Sequence, residues 1–296
     1  MMRRAFRALL LSIFFIAPLA MQAQGDYLDV FIAQVKPEKV TDFTSISKKV
    51  ADANRRNSGD HWIAQQVIYG EGEVYAFVSF RQDYAEIDKG SDAFMNAMSK
   101  AYGKDAASKM LHDFEGCLMS SRSELRKRRP DLSRKMPSDM AAYAKLVGGS
   151  RVLRTTAVHV RPGHVADFEA ILKDVKSAGE QVESTQPLFI SQGVEGTKGT
   201  TFYVSALRSG LDGFDKNPTM HEILGEEGYK KFLQGSADAI ESTESTLLRF
   251  SPELSNPPEE IMAAAPDFWQ PKSVLAAGNR KPKSSATKAS AEKANQ

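Results

Sequence analysis

Val35-Lys36-Pro37-Glu38-Lys39-Val40-Thr41-Asp42-Phe43 and Val160-Arg161-Pro162-Gly163-His164-Val165-Ala166-Asp167-Phe168 are one phrase written twice, 125 residues apart. Further on, Val78-Ser79 returns as Val204-Ser205 at a spacing of 126. Gly103, Lys109, Leu111 and Pro130-Asp131-Leu132-Ser133 return as Gly225, Lys231, Leu233 and Pro252-Glu253-Leu254-Ser255 at 122. Landmarks that recur in one order, with offsets drifting by only a few residues, mark an internal duplication.

Each copy reads by its apolar period. In the first, Tyr27 to Val35 alternates Leu28, Val30 and Ile32 against Tyr27, Asp29 and Phe31, the pattern of a strand with two different faces. Pro37 suits the first turn of a helix, where its missing N–H costs nothing, and Val40, Phe43, Ile46 and Val50 follow at helical spacing. Trp62 to Tyr69 and Glu73 to Phe80 read as a hairpin about Gly70-Glu71-Gly72. Helix follows between Asp83 and Met119, then a short strand from Ser121 to Arg128. The second copy repeats the order with Val152 to Val160, a helix carrying Val165, Phe168, Leu172 and Val175, strands at Leu188 to Gln192 and Thr200 to Leu207, a helix from Met220 to Ile240 and a strand from Ser245 to Phe250. Both read β-α-β-β-α-β, the ferredoxin-like order.

A four-stranded sheet with both helices on one side leaves its other face bare, and an apolar bare face needs a partner. Phe31, Trp62, Tyr75, Phe77, Phe189 and Tyr203 are strand aromatics, too many to leave in water. The expected class is therefore α+β, with two tandem ferredoxin-like repeats packed sheet to sheet. From Tyr27 to Ser255 the duplication, the element order and the Val-(Lys/Arg)-Pro opening resemble the dimeric α+β barrel superfamily. That superfamily includes small monooxygenases of the antibiotic-biosynthesis type and NIPSNAP-like proteins. The resemblance implies a pseudo-dimeric α+β barrel in one chain, and it would allow a cofactor-free oxygenase, a haem-handling protein or a homo-oligomer. No stretch reproduces a catalytic signature of the superfamily, so no site residue is carried over from it.

The ends of the chain differ from its body. Arg3, Arg4 and Arg7 precede an apolar run of 13 residues from Ala8 to Ala20, and Met21-Gln22-Ala23 follows. This is the layout of a cleaved signal peptide over 1–23, too short and too interrupted by Pro18 to span a membrane. It predicts export to the periplasm or the medium, where a lone Cys117 avoids unwanted oxidation. Residues 272–296 carry six basic side chains and one acid with little to bury, and read as a disordered basic tail. The full chain has 39 basic and 37 acidic residues; without its two ends it has 30 and 36, so the body is mildly acidic. That charge argues against a nucleic-acid partner. Arg126-Lys127-Arg128-Arg129 and the tail are the segments suited to weak contact with an anionic membrane or cell-wall polymer. The divisions expected are 24–133 and 151–255 for the repeats, 134–150 for a linker ending in a flexible Gly148-Gly149-Ser150, and 256–271 for a strap holding Ile261, Met262, Phe268 and Trp269.

Chemistry is sparse. Among His61, His112, His159, His164 and His221 none has an equally spaced partner, and His221-Glu222 lacks the second histidine of a zinc helix because Gly225 stands there. Gly193, Gly196 and Gly199 lie between two strands and suit a hairpin loop rather than a phosphate cradle. Cys117 reads as a buried helical thiol. Asp29 and its counterpart Arg154 share a strand face with Phe31 and Thr156. Either that face points inward, where the charges must pair or bind something, or both charges sit at strand ends in water. The inward reading gives a pocket for a small apolar or aromatic molecule from Asp29, Phe31, His61, Trp62, Gln66, Tyr75, Phe77, Arg154, Phe189 and Tyr203. A side-chain-filled, purely structural interior is the other possibility, and no catalytic residue or metal ligand is assigned.

Overall fold

The computed structural model describes residues 26–270. The expected signal peptide at 1–23 and basic tail at 272–296 lie outside them.

The first half runs β1 (Tyr27–Val35), α1 (Val40–Arg56), β2 (Ile63–Tyr69), β3 (Val74–Arg81), α2 (Ala85–Tyr102), α3 (Lys104–Gly116) and β4 (Leu118–Arg128). After α4 (Met140–Gly149), the second half runs β5 (Val152–Val160), α5 (Val165–Gln181), β6 (Phe189–Glu195), β7 (Thr200–Arg208), α6 (Asp212–Asp215), α7 (Met220–Ala239) and β8 (Ile240–Phe250). Two short helices, α8 (Glu259–Ala264) and α9 (Pro266–Trp269), end the described chain. The recurring glycines do equivalent work. Gly103, at φ 81°, separates α2 from α3, and Gly225, at φ 66°, kinks α7, both in the left-handed region that glycine enters without a side-chain clash. Pro37 opens a short 3-10 turn, Pro37–Lys39, that leads into α1 instead of sitting in the α-helix itself.

The strands close into one barrel in the order β1-β3-β2-β8-β5-β7-β6-β4, with antiparallel pairing throughout. Within each half the first strand lies between the third and the fourth. The halves are joined at their edges, and the long fourth strands make both joints. β4 pairs with β1 along Leu118–Lys127 and turns its last residues, Leu125–Arg128, to β6; β8 does the same with β5 and β2. Each joint contains a register shift, between Leu125 and Arg126 in β4 and between Val67 and Tyr69 in β2, as expected where a sheet bends to close.

Closure gives every strand a helix face and a lumen face. On β1 the lumen face is Leu28, Val30, Ile32 and Gln34. This overturns the inward placement of Asp29 and Phe31. Phe31 lies instead in the helix-side core of the first half, with Ala33, Phe43, Trp62, Tyr75, Phe77, Met98 and Phe114. The second half packs Val158, Phe168, Leu172, Ile190 and Phe202 in the same place.

Residues 134–150, expected as a linker, contain a helix. Asp139 caps α4 by accepting a hydrogen bond from the Ala142 N–H at 2.8 Å, and Tyr143, Ala144 and Val147 then fall at helical spacing on a buried face. Gly148 is part of this packing, not a flexible end: a Cβ there would lie 2.7 Å from both the Ala264 Cβ and the Ile261 carbonyl oxygen. With α8 and α9, α4 forms a plug over one end of the barrel. Tyr143 meets Phe80 and Phe189 edge-on at 6.0 and 6.1 Å, and Trp269, fully buried, donates its Nε1–H to the Gly148 carbonyl at 2.9 Å. Truncating so large a buried ring leaves a cavity, so Trp269→Ala is expected to cost about 3–5 kcal/mol of unfolding free energy in a denaturant titration. A loss below about 1 kcal/mol would show that the plug is not part of the cooperative core.

Candidate functional site

The lumen encloses a cavity of about 300 Å3. Its sides differ because the strands that build them differ. β1 and β3 contribute Leu28, Val30, Ile32, Val74, Ala76, Val78 and Phe80; the plug end is mainly apolar, from Phe80, Tyr143, Leu153, Phe189, Leu207 and Phe250, with Arg128 beside them. At the opposite end the lining is polar, with Gln34, Glu71, Ser120, Arg122 and Glu244. Between the ends Thr155 and Ser205 join their hydroxyls across β5 and β7 at 3.1 Å.

β4 is the exception to apolar walls. Alternation sends Arg122, Glu124, Arg126 and Arg128 to one face and leaves Lys127 exposed on the other. Glu124 is nearly fully buried, with 4% of its side chain exposed. It accepts from Arg126 through Nε and Nη2 at 2.8 and 2.6 Å, from Arg122 Nε at 2.9 Å, and from the Tyr203 hydroxyl at 2.7 Å. The Arg126 guanidinium also lies 3.5 Å from the Tyr203 ring centroid, a cation–π stack. Burial pushes the Glu124 carboxyl up, but Arg126, Tyr203 and Arg122 together outweigh it and hold the group below the ordinary glutamate range. Tyr203 moves the other way, pushed up to about 12 by burial despite the neighbouring Arg126 and with help from Glu124. At neutral pH the cluster is a carboxylate, two guanidiniums and a protonated phenol.

Of the ten residues expected to line a pocket, the structure brings Phe189 and Tyr203 to the lumen. The other eight lie elsewhere. Asp29 faces the helix side and joins Asp60 on the buried Arg81, at 3.3 and 2.6 Å. Phe31 and Phe77 pack on each other at 6.1 Å, Trp62 packs on Phe94 and donates to the Leu254 carbonyl at 2.7 Å, and Gln66 donates to the Tyr75 hydroxyl at 3.1 Å. His61 is exposed, with Nδ1 3.3 Å from the Asn256 carbonyl oxygen. Arg154 is on the outer face over the Phe214 ring at 4.9 Å, beside a shallow groove with Tyr69 and Leu211. A one-residue choice of parity on β1, β3 and β5 accounts for most of these displacements. The basic run at 126–129 is corrected by the same parity. Arg126 and Arg128 line the lumen, and Arg129 is bound to Asp131, Glu169 and Gln192, so Lys127 is the member left exposed to a surface. Arg122, Glu124, Arg126 and Tyr143 stand outside the expected pocket set, although Arg-x-Glu-x-Arg-x-Arg within a strand is itself a period-two signal.

No family model matches the chain, and no curated protein does. Solved structures do. An anthrone oxidase-like protein matches at a TM-score of 0.50 and 10% identity, over 78% of this chain and 93% of its own. The chain has the dimeric α+β barrel fold. A mutant chlorite dismutase from Candidatus Nitrospira defluvii, at a TM-score of 0.45 and 10% identity over 83% and 98% of the two chains, is similar to this barrel. So is a heme-binding protein from Thermus thermophilus, at 0.43 and 13% over 78% and 93%. At these identities the likeness concerns the fold.

Haem needs an axial ligand, usually histidine or a thiolate. Among the described residues neither type lines the lumen of this α+β barrel. The tyrosine nearest the charge cluster, Tyr203, keeps its proton and donates it in a hydrogen bond to Glu124. The cavity lining therefore offers haem no histidine or thiolate, and no step is derived through it. Among the described residues no group of three or more metal-binding side chains occurs either.

Because the folded-state value of Glu124 lies below its ordinary 4.5, its contribution to stability is complete above that value and is lost as pH falls through the depressed one. Glu124→Gln should cost about 3 kcal/mol at pH 7, where it strands a buried guanidinium. The gap between variant and wild type in thermal melts should narrow as pH drops below about 4.5. A gap that is constant with pH would mean that Glu124 is not charged in the folded protein.

Proposed function

We propose that this chain is an exported protein of two tandem ferredoxin-like repeats that binds one small, mainly apolar molecule in the lumen of its barrel. The observation that carries the reading is the cavity of about 300 Å3, largely apolar in its lining apart from the charged row on β4, covered at the plug end and polar at the other. Concave, largely apolar sites with a few placed polar groups are how proteins hold small ligands. Barrel interiors of eight strands are just wide enough to be filled by side chains or to hold one such molecule.

The small side chains keep the space open. Ala76 and Ala157 face the lumen where a larger residue would occupy it, and Ala157 lies directly opposite Tyr203 in the β5–β7 pairing. The helix-side spaces, by contrast, are packed with aromatic rings. Phe43 meets Tyr75 and Phe114 at 4.8 and 5.1 Å, and Phe168 meets Phe202 at 5.1 Å. Ligand capture in the lumen suits an exported protein that must carry or sequester an apolar compound through water. Oxygenase chemistry is the alternative that the superfamily resemblance allows.

The neutral dye N-phenyl-1-naphthylamine should bind saturably, with one site per chain and a blue-shifted, enhanced emission. Ala157→Phe, which fills the lumen, should abolish that binding while leaving the far-ultraviolet dichroism unchanged. Unaltered dye binding in a folded Ala157→Phe protein would place the dye outside the barrel and reject the reading.

A further inference from the structure

We propose that the molecule taken into the barrel bears a carboxylate, held by Arg126, while its apolar body lies against the floor formed by Phe80, Phe189 and Phe250. The inference rests on the lumen-binding reading and adds the chemical class of the ligand.

The first ground is the comparison of the two halves. β4 and β8 are equally long and hold equivalent places in the barrel, so Arg122, Glu124, Arg126 and Arg128 correspond to Glu244, Thr246, Leu248 and Phe250. The second half closes its part of the same wall with a hydroxyl, a leucine and a phenylalanine at the three inner positions. The fold has no need of ions there. A buried ion pair seldom contributes net stability, because desolvating both charges offsets most of their attraction. A charged stripe on one wall of a two-fold barrel therefore points to a ligand rather than to folding.

Charge sets the sign of that ligand. Glu124 is a single carboxylate shared by two guanidiniums, which leaves the cluster with a surplus positive charge. Arg126 spends Nε and Nη2 on Glu124, and its Nη1 makes no hydrogen bond within the described residues. Glu124 on one side and the Tyr203 ring on the other fix the plane of that guanidinium, so its free edge is a pre-oriented donor. Arg128 lies at the depth of Phe80 and Phe250, above the ring of Tyr143 at 5.1 Å. The other acids on the lining, Glu71 and Glu244, belong with Arg122 to the polar end, so the charge nearest the floor within the cluster is Arg126. An acid whose hydrocarbon part reaches the floor would set its carboxylate beside Arg126, in a lining that also carries the Ser191 hydroxyl.

The test pairs naphthalene-2-carboxylate with 2-naphthylmethanol, which share a ring system and differ in charge, by isothermal titration at pH 7. The wild-type protein should bind the carboxylate at least tenfold more tightly than the alcohol, the preference worth one charge-assisted hydrogen bond. The double variant Glu124→Thr/Arg126→Leu installs on β4 the residue types β8 carries at the equivalent places, which preserves a packed wall. It should lose the preference for the acid and keep its affinity for the alcohol, with its fold checked by a cooperative thermal melt. Equal binding of acid and alcohol by the wild type overturns the carboxylate assignment and leaves the lumen reading standing. A preference retained by the folded double variant overturns it as well. Binding of neither compound overturns the lumen reading and this inference together.

Discussion

Closure of the barrel is the constraint from which the other features follow. Once β2 hydrogen-bonds to β8 and β4 to β6, no sheet edge is left open and each strand has two faces turned to protein: helices outside, lumen inside. Successive side chains alternate between two interiors of different character. One is filled by aromatic rings pressed between sheet and helix. The other is bounded by a mixture of apolar side chains and hydroxyls or amides on seven strands, with Phe80, Phe189 and Phe250 at its floor, and by a charged row on the eighth.

The same closure makes the charged row expensive and informative. An open sheet could let Glu124 and Arg126 reach water; inside this lumen they are satisfied by one another, by Arg122 and by the Tyr203 hydroxyl. The plug of α4, α8 and α9 covers the end nearest Arg128 and turns what would be a channel into a blind cavity. Trp269 and Gly148 hold the plug helices at van der Waals distance, and Tyr143 projects from α4 to form the floor. Fold, plug and polar cluster are thus successive consequences of closing one sheet on itself.

Much of this architecture is readable in the residues. The duplicated Val-(Lys/Arg)-Pro phrase locates both helix entrances, and the paired glycines Gly103 and Gly225 mark a real backbone break in both halves. Strand parity is not readable, for a physical reason. Both faces of β1 are buried, so Leu28, Val30 and Ile32 and the alternate Phe31 satisfy an apolar environment equally well, and alternation alone does not say which environment is the lumen. Aromatic rings point to burial without saying on which side. The buried charges decide the question: Arg122, Glu124, Arg126 and Arg128 fall on one parity while Lys127 falls on the other, but adjacency in the sequence makes them look like a surface patch. The helix at 140–149 is hidden by its glycines, although Asp139 followed by Met140, Tyr143, Ala144 and Val147 carries both a cap and a period.

The most direct measurement is a crystal structure of the protein grown with 6-bromonaphthalene-2-carboxylate and recorded at the bromine absorption edge. An anomalous peak inside the barrel beside Phe189 and Phe250, with the carboxylate density next to Arg126, is the predicted result. A lumen free of bromine in a crystal whose outer surface binds the compound, or a lumen closed by side chains, would contradict the reading of this barrel as a ligand container.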